Sequence, residues 1–232
     1  MRIDILTLFP EMCERVLDES VVGRARKNGI VEVHCHNIRD YSDSTHRRVD
    51  DYPYGGGQGM LMQAQPIANC FDAVCAELGH RPLFVYTSPR GEVFSQETAK
   101  KLSALPDFCI LCGHYEGVDE RLLDAYIDRH ISIGDYVLTG GELAALVMTD
   151  AVARMIPGVL SETACFEDES HFSGLLEYPQ YTRPAVWNGV KVPDVLLSGH
   201  EGKIKKWRED RSLELTKKLR PDMLKNHRNK QD

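Results

Sequence analysis

The chain of 232 residues lacks the features that mark membrane-bound, secreted and disulfide-linked proteins. It contains no run of about eighteen apolar residues, so no transmembrane helix is predicted. No signal peptide precedes the first predicted strand, and the seven cysteines form an odd set without the spacing of a disulfide framework. We therefore expect a cytoplasmic protein that works in a reducing compartment.

Motifs for metals and phosphates are also missing. Cys109 and Cys112 have C-x-x-C spacing, but they lie in an apolar segment and the chain has no second C-x-x-C. Cysteines that pack as small hydrophobic residues explain this pattern better than a metal or redox centre, so we predict no zinc site. Neither G-x-G-x-x-G nor G-x-x-x-x-G-K-[ST] occurs, which excludes the common dinucleotide and P-loop fingerprints.

The most informative segment is residues 131–142, which read ISIGDYVLTGGE. A β-prone run reaches Gly134, and the Gly-Gly pair 140–141 leads into a long apolar helix. Glycine lets the backbone approach a ligand closely and leaves peptide groups free to bind it. Because Asp135 and Glu142 would repel a phosphate, a neutral or cationic ligand with a base and a ribose fits this loop better.

Strands and helices alternate over the first 160 residues. Strands are predicted for the apolar β-prone runs at 2–9, 30–38, 81–86, 108–111 and before Gly134. Helices are predicted at 10–29, 65–79, 95–105, 118–126 and 142–156, and a loop is predicted at 87–91. Helices between apolar strands are typical of an α/β fold, with a mainly parallel sheet covered by helices on both faces. Ligands bind beyond the carboxyl ends of such strands, so the loops after Tyr86, Leu111 and Ile133 should converge on one crevice.

The rest of the chain has a different character. Residues 161–175 are polar and acidic without a helical or strand period, and we interpret them as a mobile linker between a domain at 1–160 and a small domain at 176–232. A basic helix is predicted at 203–219. The segment 199–232 carries eleven Lys and Arg against six Asp and Glu, although the whole chain has a net charge of −7. An acidic body with a basic tail indicates contact with RNA.

Several segments in order carry a family resemblance. They read HRRVDDYPYGGGQGM at 46–60, LCGHYEGVDER at 111–121, the dozen at 131–142, YPQYTRP at 178–184 and VPDVLLSGH at 192–200. The chain resembles the bacterial tRNA (guanine-N1)-methyltransferases that modify position 37, members of the trefoil-knotted SPOUT superfamily. The resemblance implies a deep trefoil knot in the later part of the sheet domain and a small, mostly helical C-terminal domain. It also implies a homodimer with its active site at the subunit interface.

The resemblance implies S-adenosylmethionine as the methyl donor, held bent in the knotted loops. The implied donor-binding residues are Tyr86, Thr87, Ser88, Pro89, Gly113, Tyr115, Glu116, Ile133, Gly134, Asp135, Tyr136, Val137, Leu138, Gly140 and Gly141. Backbone groups of 133–138 would bind the adenine edge, and Glu116 would balance the sulfonium charge. An acidic residue just before the predicted helix at 118–126 is also favourable without any ligand, which is the alternative explanation of Glu116.

Guanine N1 carries a proton at neutral pH, so its methylation needs a base for that proton and a cation to stabilise charge on O6. The family position indicates Arg154 as the cation, although Asp150 on the same helical face would also pair with it. The family has an aspartate as base before Gly-Leu-Leu-Glu, where this chain has Asp168 and Glu169. Counting back from that motif favours Glu169 over Asp168; the alternative is a solvated acidic loop.

Binding of a tRNA anticodon stem-loop is expected of the basic C-terminal segment and of His46, Arg47, Arg48, Gly55, Gly56, Gly57 and Gln58. Tyr52, Tyr54 and Phe172 are candidates to stack on a base that leaves the loop. Two other functions fit the same sequence. A knotted methyltransferase that acts on a ribose 2′-hydroxyl would need no recognition of guanine. An inactive homologue would retain the fold and RNA binding but not catalysis. The presence of Glu169 where the family has an aspartate favours this second alternative.

Overall fold

The computed structural model describes residues 1–160, 169–172 and 174–228 of the chain. The chain forms two compact units, Met1–Ser161 and Glu162–Asp232. Within the described residues, no helix combines the length and the apolar character that crossing a membrane requires.

A five-stranded sheet is the centre of the first unit. Its strands are β1 Arg2–Thr7, β2 Glu32–Asn37, β5 Leu83–Val93, β6 Asp107–Cys112 and β7 Arg129–Ser132. They are arranged in the order β2-β1-β6-β5-β7, and each adjacent pair is parallel. The predicted α/β fold with a mainly parallel sheet is therefore confirmed.

Helices cover both faces of this sheet. One face packs against α1 Pro10–Leu17, α2 Ser20–Lys27, α4 Gln96–Ser103 and α6 Glu142–Ala153, and the other against α3 Ala64–Leu78 and α5 Glu120–Tyr126. Along β6, Phe108 and Ile110 belong to the first core cluster, whereas Cys109 and Leu111 belong to the second. Successive side chains of a strand point to opposite faces, so burial of both faces requires an unbroken apolar run.

The prediction of a single helix at 10–29 is wrong. Two helices replace it, α1 and α2, and the chain between them turns at Ser20, which has a positive φ of 55°. Packing at the junction is close, since a β-carbon built on Gly23 would lie 2.1 Å from the carbonyl oxygen of Asp18. No proline or glycine occurs at residues 18–20, so the local sequence does not mark the break.

The prediction of a loop at 87–91 is also wrong, because strand β5 continues through these residues to Val93. The pairing of β5 with β7 shifts register between Thr87 and Glu92. This irregularity accommodates Pro89, which has no N–H to donate to a neighbouring strand. Strand β5 thus pairs with β7 up to Thr87, leaves this pairing over the next four residues and pairs with β7 again from Glu92.

A short hairpin was not predicted in the first unit. Strands β3 Asp50–Asp51 and β4 Leu61–Met62 pair antiparallel, and the glycine cluster at 55–59 lies between them. Glycines 55, 56, 57 and 59 all have positive φ, which explains why this connection needs so many of them. Helix α6 ends at Ala153 rather than at the predicted residue 156, and Arg154 is its C-cap.

The second unit contains a hairpin and helices. Its elements are β8 Val186–Trp187, β9 Val190–Lys191, α7 Asp194–Leu197, α8 Glu201–Leu219 and α9 Pro221–Arg228. The basic helix predicted at 203–219 is confirmed by α8. Residues 161–168 and 173 lie outside the described residues, so the linker at 161–175 and the domain boundaries stay predictions.

Candidate functional site

Loops at the carboxyl edge of the sheet surround one crevice in the first unit. They follow β6 and β7, and the irregular middle of β5 and the start of α6 complete the wall. Each residue that the sequence assigned to the methyl donor lines this crevice except Asp135, which is exposed. The fold therefore brings together residues from positions 86 to 141 at the edge where parallel sheets bind ligands.

Hydrogen bonds hold these loops to one another. The amide of Gly141 donates to the carbonyl oxygen of Gly113 at 2.8 Å, and Thr87 Oγ1 donates to the carbonyl oxygen of Leu111 at 3.1 Å. After β7, Ser132 Oγ donates to the carbonyl oxygen of Gly134 at 3.0 Å. The crevice wall is thus made of backbone segments that are hydrogen-bonded to one another.

Glycine is required where the loops come closest. A β-carbon on Gly113 would lie 2.7 Å from Tyr86 Oη, and one on Gly141 would lie 2.8 Å from the Cα of Cys112. Gly134 has a φ of 152°, and its β-carbon would lie 2.4 Å from the Tyr136 ring. Any larger residue would push the loops apart or narrow the crevice.

Aromatic residues contribute to two sides of the crevice. Tyr86 is buried, its ring meets the ring of His130 edge-on at 5.5 Å between centroids, and burial raises the pKa of its hydroxyl. The Tyr86 hydroxyl therefore stays protonated at neutral pH. Tyr115 has a positive φ of 56°, and its hydroxyl accepts a hydrogen bond from Arg39 at 3.2 Å.

The segment at 46–60 adjoins the crevice through Glu116. The amide of Glu116 donates to the carbonyl oxygen of Met60 at 3.0 Å, and a β-carbon on Gly59 would lie 2.4 Å from Glu116 Cγ. Tyr54 in this segment is 99% exposed, so its ring is available to a partner.

The basic residues expected to contact RNA are exposed in the same segment. His46, Arg47 and Arg48 are all exposed, and Arg47 pairs with Asp40 at 2.9 Å. An exposed pair of this kind contributes little to stability, so Arg47 can exchange its partner at small cost.

The predicted cation, Arg154, does not line this crevice. Arg154 lines a separate groove formed by α1, α2 and α6, which includes Val16 and Val147. Glu169 belongs to the second unit, where the amide of Phe172 donates to its carbonyl oxygen at 3.3 Å. Asp168 lies outside the described residues.

Sequence reasoning missed several lining residues, which are Gly117, Ile131, Ser132, Thr139, Ala144 and, most notably, His114. Nδ1 of His114 is buried and has no hydrogen-bond partner in the described part of the chain. Its position between Gly113 and Tyr115, both assigned to the donor, is the signal that could have identified it.

Cys109 and Cys112 pack in the core from opposite faces of β6. Both are free thiols, and burial raises the pKa of each. Among the described residues, no three His, Cys, Asp or Glu side chains are grouped so that they could hold a metal ion.

The fold and the crevice together define a class: an α/β protein with a glycine-walled crevice at the carboxyl edge of a parallel sheet. Comparison with known proteins then identifies the family. The family model described as "tRNA (Guanine-1)-methyltransferase TrmD" matches residues 1–226. The chain belongs to this family of enzymes.

Individual relatives agree along the whole chain. A tRNA (guanine-N(1)-)-methyltransferase from Ruminiclostridium cellulolyticum is 56% identical over 230 residues, which is 99% of both proteins. Proteins of the same name from Alkaliphilus oremlandii and Geobacter sulfurreducens are 54% and 53% identical. Each of these two alignments covers 97% of this chain, with 92% and 91% of the respective relatives.

Proposed function

We propose that this chain transfers a methyl group from S-adenosylmethionine to N1 of guanosine at position 37 of tRNA. One observation carries the proposal: a chain that matches a tRNA (guanine-1)-methyltransferase family over residues 1–226 also has a glycine-walled crevice at the carboxyl edge of its sheet. A tRNA substrate implies a cytoplasmic enzyme.

The crevice residues fit S-adenosylmethionine. Gly113 and Gly141 let the backbone segments of the wall approach each other more closely than β-carbons would allow, and Ile133 and Leu138 give the wall apolar surface for an adenine. When bound, S-adenosylmethionine supplies an electrophilic methyl group on a cationic sulfur. Glu116, exposed at the wall, offers the negative charge that complements this cation.

The proposed chemistry at guanine needs a base and a cation. We assign the base to Glu169, whose carboxylate accepts the proton of N1, with Asp168 as the alternative. The guanidinium of Arg154 stabilises the negative charge that develops on O6 as this proton leaves.

A homodimer is supported by the position of Arg154. Arg154 lines a groove that is separate from the donor crevice of its own subunit. It can therefore act on a guanine beside a bound methyl donor only if that donor is held by another subunit. Val16 of α1 and Val147 of α6 line this groove and are exposed. Met12 and Leu143, each one helical turn earlier on the same helix, are exposed as well. Exposed apolar surface of this kind marks a protein interface, and we call these four residues the α1/α6 face.

We also propose a topology for the first unit and a division of the chain into domains, as the family resemblance implies. On the ground of this resemblance, we propose a deep trefoil knot in the first unit, with the segment after β7 hydrogen-bonded to the loop after β6 and to the end of β1. A linker at 161–175 and a small, mostly helical domain at 176–232 complete the subunit. Its basic helix and the exposed segment at 46–58 are the proposed contacts to the anticodon stem-loop, with Tyr54 positioned to stack on a base.

Methyl transfer to defined RNAs tests this function. Labelled S-adenosylmethionine is incubated with a tRNA transcript that has guanosine at position 37 and with a matched transcript that has adenosine there. Label is expected as 1-methylguanosine, and only in the first transcript. Label on a ribose would instead indicate a 2′-hydroxyl methyltransferase. An unlabelled tRNA that still binds the protein would indicate an inactive RNA-binding homologue.

Substitution of the two acidic residues tests the assignment of the base. Glu169→Gln is expected to lower kcat about 100-fold, as loss of a general base does, and to leave donor affinity unchanged. Asp168→Asn is expected to have a much smaller effect on single-turnover rates. The reverse pattern would assign the proton transfer to Asp168.

A further inference from the structure

Glu142 is a buried carboxylate that the proposed mechanism does not use. It is the first residue of α6, it is 3% exposed, and it follows Gly140 and Gly141 directly. It does not line the crevice. Because a buried carboxylate is costly unless it is hydrogen-bonded, its contacts show which parts of the fold it holds together.

One carboxylate oxygen is bound by the end of β1. Thr7 Oγ1 donates to Glu142 Oε1 at 2.7 Å, and Thr7 is fully buried. The same hydroxyl oxygen accepts a hydrogen bond from the amide of Phe9 at 2.9 Å. The start of α6 is thereby joined to a strand end 135 residues earlier in the chain.

The other carboxylate oxygen supports the glycine turn. A β-carbon on Gly140 would lie 2.4 Å from Glu142 Oε2 and 2.9 Å from Nδ1 of His114. Glu142 and His114 therefore take up the space beside Gly140 that a side chain would need. Since Gly140 and His114 line the crevice and Glu142 does not, the carboxylate lies behind the crevice wall.

Gly141, the next residue, is also closely packed, so the turn has little room to move. Gly141 donates to the carbonyl oxygen of Gly113, and a β-carbon on it would lie 2.2 Å from Thr87 Oγ1. A shift of Glu142 would therefore move the turn against β5 and β6, whose ends form the opposite wall. Small displacements of such positioning groups have large effects on binding and rate.

We propose that Glu142 is a positioning residue: its carboxylate, held by Thr7, fixes the Gly140–Gly141 turn in the geometry that binds the methyl donor. This inference rests on the proposed function, because the donor is the ligand of the crevice. The competing explanation is a structural one. An acidic residue in the first turn of a helix stabilises that helix without any effect on ligand binding.

Three substitutions separate these explanations. Glu142→Gln keeps the shape but removes the charge, Thr7→Val keeps the shape but removes the hydroxyl, and Thr7→Ser keeps the hydroxyl. We expect the first two to weaken S-adenosylmethionine binding about tenfold in calorimetric titration, a loss typical of one hydrogen bond to a charged group. Thr7→Ser should restore affinity to nearly the wild-type value. The KM for tRNA should stay unchanged in all three variants.

Thr149→Val is the matched control. Thr149 is a second fully buried threonine, it lies on α6 itself, and its Oγ1 has no hydrogen-bond partner within the described residues. Its substitution should leave donor affinity and KM unchanged. Thermal unfolding is measured for each variant, so that a loss of fold is distinguished from a loss of binding.

The outcomes are distinguishable. Folded Glu142→Gln and Thr7→Val proteins that bind S-adenosylmethionine as tightly as the wild type would overturn the inference. Equal losses of stability and affinity in Thr7→Val, Thr7→Ser and Thr149→Val would overturn it as well, because they indicate a purely structural role. A folded wild-type protein that does not bind S-adenosylmethionine would overturn the proposed function itself, whatever the variants do.

Discussion

Asp4 is a buried carboxylate in the middle of β1, and its charge is balanced by two neighbours. Arg2 donates to both of its oxygens at 2.8 and 2.9 Å, and His36 Nε2 lies 2.7 Å from Oδ1. Burial by itself raises the pKa of Asp4, but the hydrogen bonds from His36 and Arg2 outweigh this effect, so the pKa lies below its ordinary value of 3.8. The ionised form is thus the one that stabilises the fold.

Asp4→Asn is expected to lower the free energy of unfolding by on the order of 3 kcal/mol at pH 7, because it leaves Arg2 without its buried partner. Since the folded pKa is lowered, the contribution of Asp4 is complete above about pH 4 and is lost as the pH falls through the folded pKa. Urea unfolding at pH 7 and at pH 3 should therefore show a smaller difference between variant and wild type in acid.

Asp40→Asn is the control for this experiment. Asp40 also pairs with an arginine, Arg47, but both side chains are exposed. Its substitution should change the free energy of unfolding by less than about 0.5 kcal/mol. Equal effects of Asp4→Asn and Asp40→Asn would show that burial of the Arg2–Asp4 pair has no energetic consequence.

At the scale of elements, the start of α6 depends on the absence of a side chain. A β-carbon on Gly141 would lie 2.2 Å from Thr87 Oγ1 and 2.8 Å from the Cα of Cys112, so at least one backbone segment must move to admit it. The ends of β5 and β6 and the start of α6 would then separate. In contrast, a β-carbon on Gly202 in α8 meets nothing within 4 Å.

Gly141→Ala is therefore expected to weaken S-adenosylmethionine binding by more than about tenfold, or about 1.4 kcal/mol. Gly202→Ala should leave that affinity unchanged and raise stability by roughly 0.5 kcal/mol, because alanine favours a helix. Calorimetry and thermal unfolding measure both effects. A Gly141→Ala protein with wild-type affinity would contradict the close packing that we describe for this turn.

Local patterns predicted most of these elements, and packing accounts for the errors. Strand β6 was predicted nearly to its ends, because an apolar run between turn residues is a local signal. The break between α1 and α2 was missed, since no proline or glycine occurs at residues 18–20, where Ser20 has a positive φ of 55°. The continuation of β5 past Pro89 was missed too, because it depends on pairing with β7, which is remote in sequence.

At the scale of the whole molecule, the proposed homodimer depends on the α1/α6 face. Val147 is 48% exposed there and lines the same groove as Arg154. Val147→Asp places a charge in the proposed interface, where its desolvation without a partner is costly. We expect light scattering to give twice the chain mass of 26.2 kDa for the wild type and a single chain mass for the variant.

The same variant should lose methyl transfer about 100-fold and retain more of its donor binding, since the crevice lies within one subunit. Val93→Asp is the control, because Val93 is also exposed but lies on β5. It should leave the mass of the wild type unchanged. A wild-type monomer with full activity would refute both the dimer and the action of Arg154 across subunits.

The parallel α/β sheet, the loops after β6 and β7 and the family follow from the sequence alone. Apolar runs, prolines and glycines act on the backbone within a few residues, so their effects are visible in a short segment. The family resemblance assigned the glycines at 113, 134, 140 and 141 to the ligand, and all four line the crevice.

Contacts between side chains that are remote in sequence are visible only in the three-dimensional structure. Thr7 and Glu142 are 135 residues apart, and neither local segment indicates the other. Arg154 follows the crevice wall closely in sequence, yet it lies in another groove, because the helix carries it away from the sheet edge. Contacts of this kind depend on how elements pack in three dimensions, and packing leaves no pattern in a single stretch of chain.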